Sequence, residues 1–220
     1  MATTTAGNTR RLDVRKTYKL YIGGKFPRSE SGRSYEVYAA PTRAGAAPRF
    51  LANASQGSRK DARDAVVAAR AAQPGWAGAT AYNRGQVLYR VAEVMEGRRA
   101  QFVEEVRAGE GLSPSRADSG VSQAIDRWVW YAGWSDKLPQ VLGGLNPVAG
   151  PFFNISAPEP SGVVAVLAPQ ASSLLGLVSV IAPAIVSGNT VVVITSKERP
   201  LPAVTLGECL ATSDVPGGVV

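Results

Sequence analysis

Residues 161–196 constrain the fold of this chain more strongly than any other stretch of its sequence. They hold a short apolar run from Gly162 to Leu167, a longer apolar segment from Leu174 to Val186, and a second short run from Val191 to Ile194. Short apolar runs that are rich in β-branched residues and do not alternate are typical of strands buried on both faces. The middle segment is too long for such a strand and is predicted to be a helix.

Both ends of this middle segment carry helix signals. Ser172 or Ser173 can cap its amino end, and Gly188-Asn189 can close its carboxyl end. Strand, helix and strand at this spacing predict a right-handed βαβ unit with parallel strands. The predicted fold class is therefore α/β, with this unit as the seed of a doubly wound nucleotide-binding sheet.

Helical periodicity also marks the sequence upstream. A helix over 60–73 follows a candidate N-cap, Ser58, and is predicted to end at Pro74-Gly75-Trp76. Two further helical stretches are predicted within 83–106, and residues 113–115 are predicted to interrupt the pattern. Before them, residues 19–26 predict two short strands joined by a Gly-Gly turn.

A helix predicted over 121–138 is rich in aromatic residues. It contains Trp128, Trp130, Tyr131 and Trp134. Packing of these rings in the core is the main hypothesis, because large aromatic side chains dominate protein cores. A carbohydrate-binding platform is the alternative.

Composition narrows the chemistry that the chain can perform. Among its 220 residues there is no histidine and one cysteine, which excludes histidine-dependent catalytic triads and an internal disulfide framework and makes a metal site unexpected. Cys209 lies in an apolar helical pattern over 203–210, so we expect a small core residue rather than a nucleophile. Its neighbour Glu208 is expected to be solvated.

Charge and hydropathy bear on partners and location. The net charge is +7, but basic residues are interspersed with acids, as over 59–64, and no nucleic-acid-binding motif is present. We therefore expect no nucleic-acid partner. No apolar run reaches the ~18–20 residues that span a bilayer, so no membrane association is expected. The single cysteine fits a reducing compartment, and the cytoplasm is the expected location.

The amino-terminal residues differ from the remainder. Residues 1–17 are polar, threonine-rich and basic and are predicted to form a disordered tail, with a transit peptide as the alternative. Residues 18–220 are expected to belong to one domain.

Several segments together resemble the aldehyde dehydrogenase superfamily. Ile181-Ala182-Pro183-Ala184 and Gly188-Asn189-Thr190-Val191-Val192 match the helix and second strand of its cofactor domain, and Tyr131–Lys137 matches a family helix ending in Gly-Trp-Ser-Asp-Lys. The resemblance extends from about Tyr18 to Val220. It implies the N-terminal half of a Rossmann-type domain that binds NAD or NADP, in a family that oxidises aldehydes to acids.

The resemblance implies where a cofactor and an oxyanion would lie. The implied cofactor-binding residues follow the two strands: Leu167, Ala168, Pro169, Gln170, Ile194, Ser196 and Lys197. Where the family has the asparagine that stabilises the oxyanion, this chain has Ala171, so no catalytic residue is assigned. Where the family has a lysine and a glutamate that bind the ribose, it has Ile194 and Lys197. Lys197 either favours the 2′-phosphate of NADP or is a solvated residue of a degenerate site.

Three functional hypotheses follow. The first is a non-catalytic or truncated family member that pairs with a copy of itself or with a related subunit, through an extended segment over 147–160 that resembles the family's oligomerisation sheet. The second is the N-terminal piece of an active, NADP-preferring aldehyde dehydrogenase. The third, a basic nucleic-acid-binding module, is remote.

Overall fold

The structure is a computed structural model, and it describes residues 16–41, 43, 45 and 47–220. Seven strands and seven helices are assigned within these residues. In chain order they are β1 Thr17–Tyr18, β2 Ser34–Tyr38, β3 Phe50–Ser55, α1 Arg59–Gly78, α2 Ala81–Gly97, α3 Arg99–Glu110, α4 Pro114–Ala132, α5 Leu138–Leu142, β4 Gly144–Leu145, β5 Ile155–Ser156, β6 Val163–Leu167, α6 Leu175–Val186, β7 Thr190–Ile194 and α7 Leu201–Ala211.

The predicted βαβ unit is present as β6, α6 and β7. The two strands are parallel neighbours, and Val166 pairs with Val193 in register. The prediction that Ser172 or Ser173 caps α6 is wrong, because the N-cap position is Leu174 and carries no side-chain cap hydrogen bond. The Ser172 hydroxyl, two residues before it, still accepts from the Gly176 amide at 2.9 Å. Gly188 turns the chain into β7 with φ of 96°, a backbone conformation that favours glycine.

The carboxyl ends of both strands are exposed. The side chain of Leu167 is 77% exposed and that of Ile194 is 62% exposed. The prediction of strands buried on both faces is therefore wrong at these ends, because no element of the described chain covers them. The amino ends lie deeper, where α1 and α6 pack against the strands, and Val191 is buried.

Helix α1 continues through Pro74 to Gly78, so the predicted end at Pro74 is wrong. Trp76 supplies the physical reason. Its side chain is buried, and its indole Nε1 donates to the Ile185 carbonyl at 2.8 Å. This contact with α6 holds the last turn of α1 in place, although a proline inside a helix removes one backbone donor.

Helix α4 begins at Pro114 rather than at Val121, so residues 113–115 start a helix instead of interrupting one. The Ser113 hydroxyl accepts from the Arg116 amide. Proline fits the first helical position because its missing N–H would have no partner there. The helix ends at Ala132, and residues 138–142 form the separate helix α5.

The amino-terminal elements form a sheet of order β1-β3-β2. The predicted Gly-Gly hairpin is present as a bridge between Ile22 and Lys25, with positive φ angles at Gly23 and Gly24. The tail predicted for residues 1–17 falls largely on residues 1–15, which lie outside the described residues. Thr17, assigned to that tail, starts β1 and pairs with Asn53.

The main core lies between the helices and the β6–β7 pair. It includes the fully buried Trp128, together with side chains of α2, α3, α6 and α7. The core hypothesis is therefore correct for Trp128. It is wrong for Trp130, which is 62% exposed and contacts the ring of Trp134, because it lies on the face of α4 turned away from this core.

Candidate functional site

The residues predicted to line a cofactor site converge after β6 and β7. The Ala168 amide donates to the Ile194 carbonyl at 3.0 Å, and the Ser196 hydroxyl donates to the Gln170 carbonyl at 3.3 Å. Parallel strands end at the same edge of a sheet, where nucleotides bind in open α/β folds. The structure thus brings the two predicted segments, 167–170 and 194–197, together.

Ala171 offers no side-chain donor at the position where the family resemblance implies an oxyanion. Its backbone carbonyl accepts a hydrogen bond from the Arg199 guanidinium. The neighbouring Gln170 does not replace the missing amide, because its Nε2 folds back and donates to the Ala168 carbonyl at 2.9 Å. The Gln170 amide is thus engaged with Ala168 and not with Ala171.

Lys197 is exposed just after β7. Among the residues that the structure describes, its ammonium group makes no ion pair or hydrogen bond. Ile194 presents only hydrocarbon beside it. The Lys197 ammonium group can attract a phosphate, but neither Lys197 nor Ile194 has a side-chain acceptor for the hydroxyl groups of a ribose.

Two charged residues of this region were not anticipated from the sequence. Arg199 is anchored by its amide on the Ser196 hydroxyl at 3.3 Å and by its side chain on Ala171. The Glu110 carboxylate accepts from both the amide and the hydroxyl of Ser173, at 2.7 and 2.6 Å. The negative charge of Glu110 therefore lies at the amino end of α6, where it interacts favourably with the helix dipole.

Cys209 is fully buried in α7, as predicted for a core residue. Burial raises the pKa of its thiol to about 11, so the group is protonated at neutral pH and is a poor nucleophile. The expectation that Glu208 is solvated is wrong. Its carboxylate accepts from Arg98 at 2.6 Å and also pairs with Lys16, and although burial opposes it, these partners hold the pKa of Glu208 below its usual value.

The carboxylate of Glu105, in α3, is buried and contacts α7 through Thr205. Its Oε1 accepts from Tyr18, Thr205 and Gln101 at 2.9, 2.9 and 3.0 Å, whereas its Oε2 is buried without a partner in the described part of the chain. Burial raises the pKa of Glu105 even though the three hydrogen bonds oppose the shift. No sequence signal identifies this network, because its members are far apart along the chain.

Metal-binding clusters and membrane-crossing helices are both missing from the part of the chain that the structure describes. Within these ranges, no group of three or more histidine, cysteine, aspartate or glutamate residues could hold a metal ion. No helix there has the length and hydropathy that a bilayer-crossing helix requires.

The parallel βαβ unit with its flanking helices defines an α/β protein with one half of a Rossmann-type sheet. The model of the aldehyde dehydrogenase family matches residues 29–220. The chain belongs to this family.

Similar proteins agree with this assignment. Retinal dehydrogenase 2 of Gallus gallus is 32% identical over 96% of this chain and 40% of its own length. Aldehyde dehydrogenase 1A1 of Homo sapiens is 31% identical over 92% of this chain and 40% of its own length. The solved NAD+ complex of aldehyde dehydrogenase from Bacillus cereus superposes with a TM-score of 0.86 at 26% identity, over 93% of this chain and 41% of that one. The chain thus spans about 40% of the length of the relatives that it matches.

Proposed function

We propose that this chain is a non-catalytic member of the aldehyde dehydrogenase family that acts as a pairing subunit. The observation that carries the proposal is that alanine, Ala171, stands at the implied oxyanion position while the neighbouring Gln170 amide is folded onto the Ala168 carbonyl. Loss of one oxyanion donor typically lowers a rate by ~10²–10³. The buried, protonated thiol of Cys209 does not supply a nucleophile.

Aldehyde oxidation by the purified 220-residue chain tests this proposal. The chain is incubated with an aliphatic aldehyde and either NAD or NADP, and formation of the reduced cofactor is followed by absorbance. We expect no turnover, and we expect Ala171→Asn to restore none, because the thiol stays buried. Turnover by the unaltered chain would overturn the proposal.

An exposed apolar surface supports the pairing role. It lies along α5 and the β4–β5 pair, in which Leu145 is opposite Ile155, and we call it the apolar projection. Its members are Val141, Leu142, Leu145, Phe152, Phe153 and Ile155. Contiguous exposed apolar surface marks sites of association. The extended segment predicted over 147–160 therefore fits a contact with a second copy or a related subunit.

Binding of NADP is the second candidate function, and the exposed ammonium group of Lys197 favours it. The similar Bacillus cereus enzyme was solved as a complex with NAD+. In this chain the site fits a 2′-phosphate better than a bare ribose, because Lys197 supplies a cation and Ile194 supplies no hydrogen-bonding group. A bound nicotinamide cofactor would supply the hydride acceptor of the family reaction.

Titration with NAD and NADP separates the two candidates. If Lys197 contacts a 2′-phosphate, NADP binds more tightly than NAD, and Lys197→Glu reverses the preference, while Arg43→Glu, a charge change in the loop before β3, does not. Equal and weak binding of both cofactors by all three proteins would rule out the NADP candidate and leave only the non-catalytic proposal.

The cytoplasm remains the proposed location, since a reducing compartment suits the single buried thiol.

A further inference from the structure

Side chains from outside hold the loop that joins β6 to α6, residues 168–174. Its second half is held by α3. The Glu110 carboxylate accepts from the Ser173 amide at 2.7 Å and from the Ser173 hydroxyl at 2.6 Å, and the same oxygen, Oε1, accepts both bonds. Ser173 is 4% exposed, so loss of this oxygen would cost a buried amide and a buried hydroxyl their hydrogen bond. Glu110 therefore fixes the loop at Ser173.

The middle of the loop is held by residues that follow β7. The Arg199 guanidinium donates through Nη1 to the Ala171 carbonyl, and the Ser196 hydroxyl donates to the Gln170 carbonyl at 3.3 Å. Arg199 is itself fixed, because its amide donates to the Ser196 hydroxyl at 3.3 Å. The loop is thus held at two consecutive carbonyls and, two residues further on, at Ser173.

The last turn of α3 supports both sets of contacts. A Cβ at Gly109 would lie 3.8 Å from the Cβ and Cγ atoms of Arg199, so the aliphatic part of Arg199 lies beside the residue that precedes Glu110. The helix ends at Gly111 with φ of 68°, which is a left-handed C-cap. One turn earlier, Val106 is buried in the main core. The end of α3 is therefore anchored to the core and positions the loop from there.

The residues held in this way include the positions where the family resemblance implies chemistry. Gln170 is an implied cofactor-binding residue, and Ala171 stands at the implied oxyanion position. We infer that Glu110 and Arg199 are positioning residues, which fix the backbone of 170–173 against the end of α3 and thereby set the affinity of the cofactor site. This inference rests on the NADP-binding candidate proposed above. If either contact is lost, the loop occupies its binding position for less of the time, and the apparent affinity falls by that fraction.

A purely electrostatic role for Glu110 is the alternative. Its charge interacts with the dipole of α6, and this effect does not depend on one particular oxygen. The two hydrogen bonds do depend on Oε1, and the side-chain carbonyl of glutamine can supply the same acceptor. Glu110→Gln keeps the acceptor and removes the charge, whereas Glu110→Ala removes both. The two substitutions therefore separate positioning from electrostatics.

A spin label in the loop reports its mobility directly. Ala171→Cys provides the attachment site, because Ala171 is exposed and its contact with Arg199 is made by the backbone carbonyl. Cys209 is fully buried and stays unlabelled. By electron paramagnetic resonance of the labelled 220-residue chain, we expect Glu110→Ala and Arg199→Met each to shorten the rotational correlation time of the label by about twofold or more. We expect Glu110→Gln to leave it close to its original value.

An exposed ion pair on the same helix provides matched controls. Glu104 and Arg107 pair at 2.9 Å, and Glu104→Ala and Arg107→Met should leave the label unchanged. Circular dichroism establishes that each variant folds, and Arg199→Met, which removes an exposed hydrogen bond, decides the question if Glu110→Ala does not fold. An unchanged label in folded Glu110→Ala or Arg199→Met, or equal mobility in Glu110→Gln and Glu110→Ala, would overturn the inference.

Titration with NADP connects the position of the loop to the cofactor site. In chains without the label, we expect Glu110→Ala and Arg199→Met to weaken NADP binding by about fivefold or more, and Glu110→Gln to change it by less than about twofold. Unchanged affinity in variants whose label is mobile would overturn the link between the loop and the cofactor. Absence of binding by the unaltered chain would instead refute the NADP candidate, and label mobility would still decide whether Glu110 and Arg199 position the loop.

Discussion

At the residue scale, the carboxylate of Asp61 links the start of α1 to the preceding loop. It accepts from the Ser58 amide and the Ser29 hydroxyl, both at 2.7 Å, and from the Glu30 amide at 3.0 Å. Burial disfavours the charged form, but these hydrogen bonds outweigh it and lower the pKa of Asp61 to about 2. Because the folded-state pKa is depressed, the stabilisation is present above the ordinary value of 3.8 and is lost as the pH falls through about 2.

Asp61→Asn should therefore lower the free energy of unfolding by about 1–2 kcal/mol at pH 7. The loss should be smaller at pH 3, where the wild-type carboxylate has already lost part of its contribution. Urea denaturation at both pH values measures the difference. Asp64→Asn, at an exposed site that pairs with the exposed Arg63, is the control and should change stability by less than about 0.5 kcal/mol. An Asp61→Asn effect independent of pH would contradict this account.

Glu105 should show the opposite pH dependence. Burial raises its folded-state pKa, so its contribution to stability is fully present below its ordinary pKa and is lost as the pH rises through the folded-state value. We expect Glu105→Gln to gain stability relative to the wild-type chain as the pH rises from 4 to 8. Thermal unfolding across this range measures the difference, with the exposed Glu104→Gln as the control. Parallel stability curves for wild type and Glu105→Gln would contradict the assignment.

At the element scale, the sequence predicts the elements whose signals are local. The βαβ unit follows from three adjacent apolar runs, and Gly188 marks the turn between α6 and β7. The end of α1 is missed because a contact with Ile185, distant in sequence, keeps Trp76 helical beyond Pro74. In the candidate site, residues 167–170 and 194–197 could be predicted because they follow the strands. The Glu110–Ser173 contact could not, since these residues are 63 positions apart.

The proline inside α1 gives a prediction for the whole helix. Pro74 is exposed, so replacing it loses little packing, and Pro74→Ala supplies the backbone N–H that proline lacks. A proline in a helix interior costs about 3 kcal/mol, and part of this is offset because proline restricts the unfolded chain. We expect Pro74→Ala to stabilise the chain by about 1–2 kcal/mol in urea denaturation.

Gly75→Ala, at the next position, is the variant with which the stability gain of Pro74→Ala is compared. A Cβ there meets no atom within 4 Å, so the substitution should contribute about 0.5–1 kcal/mol through helix propensity alone. If Pro74→Ala destabilised the chain while Gly75→Ala stabilised it, α1 would need its proline, and the account of Trp76 as the anchor would be wrong.

At the scale of the whole molecule, the apolar projection and the main core are separate. The projection presents large exposed side chains, and such a patch packs against another folded surface. The main core lies between the helices and the β6–β7 pair, so substitutions on the projection should alter association without unfolding the domain.

The apolar projection yields the last prediction. Phe153 is 81% exposed, and burying its ring against a second copy would remove about 150 Å² or more of apolar surface from water. Phe153→Asp places a charge in that contact and should shift the chain toward monomer by at least about tenfold in the dissociation constant, measured by sedimentation equilibrium. Leu167→Asp is the matched control, because Leu167 is 77% exposed at the end of β6, outside the projection, and should leave association unchanged. A wild-type chain that sediments as a monomer at every concentration would exclude pairing through this surface. Equal effects of both substitutions would place the contact elsewhere.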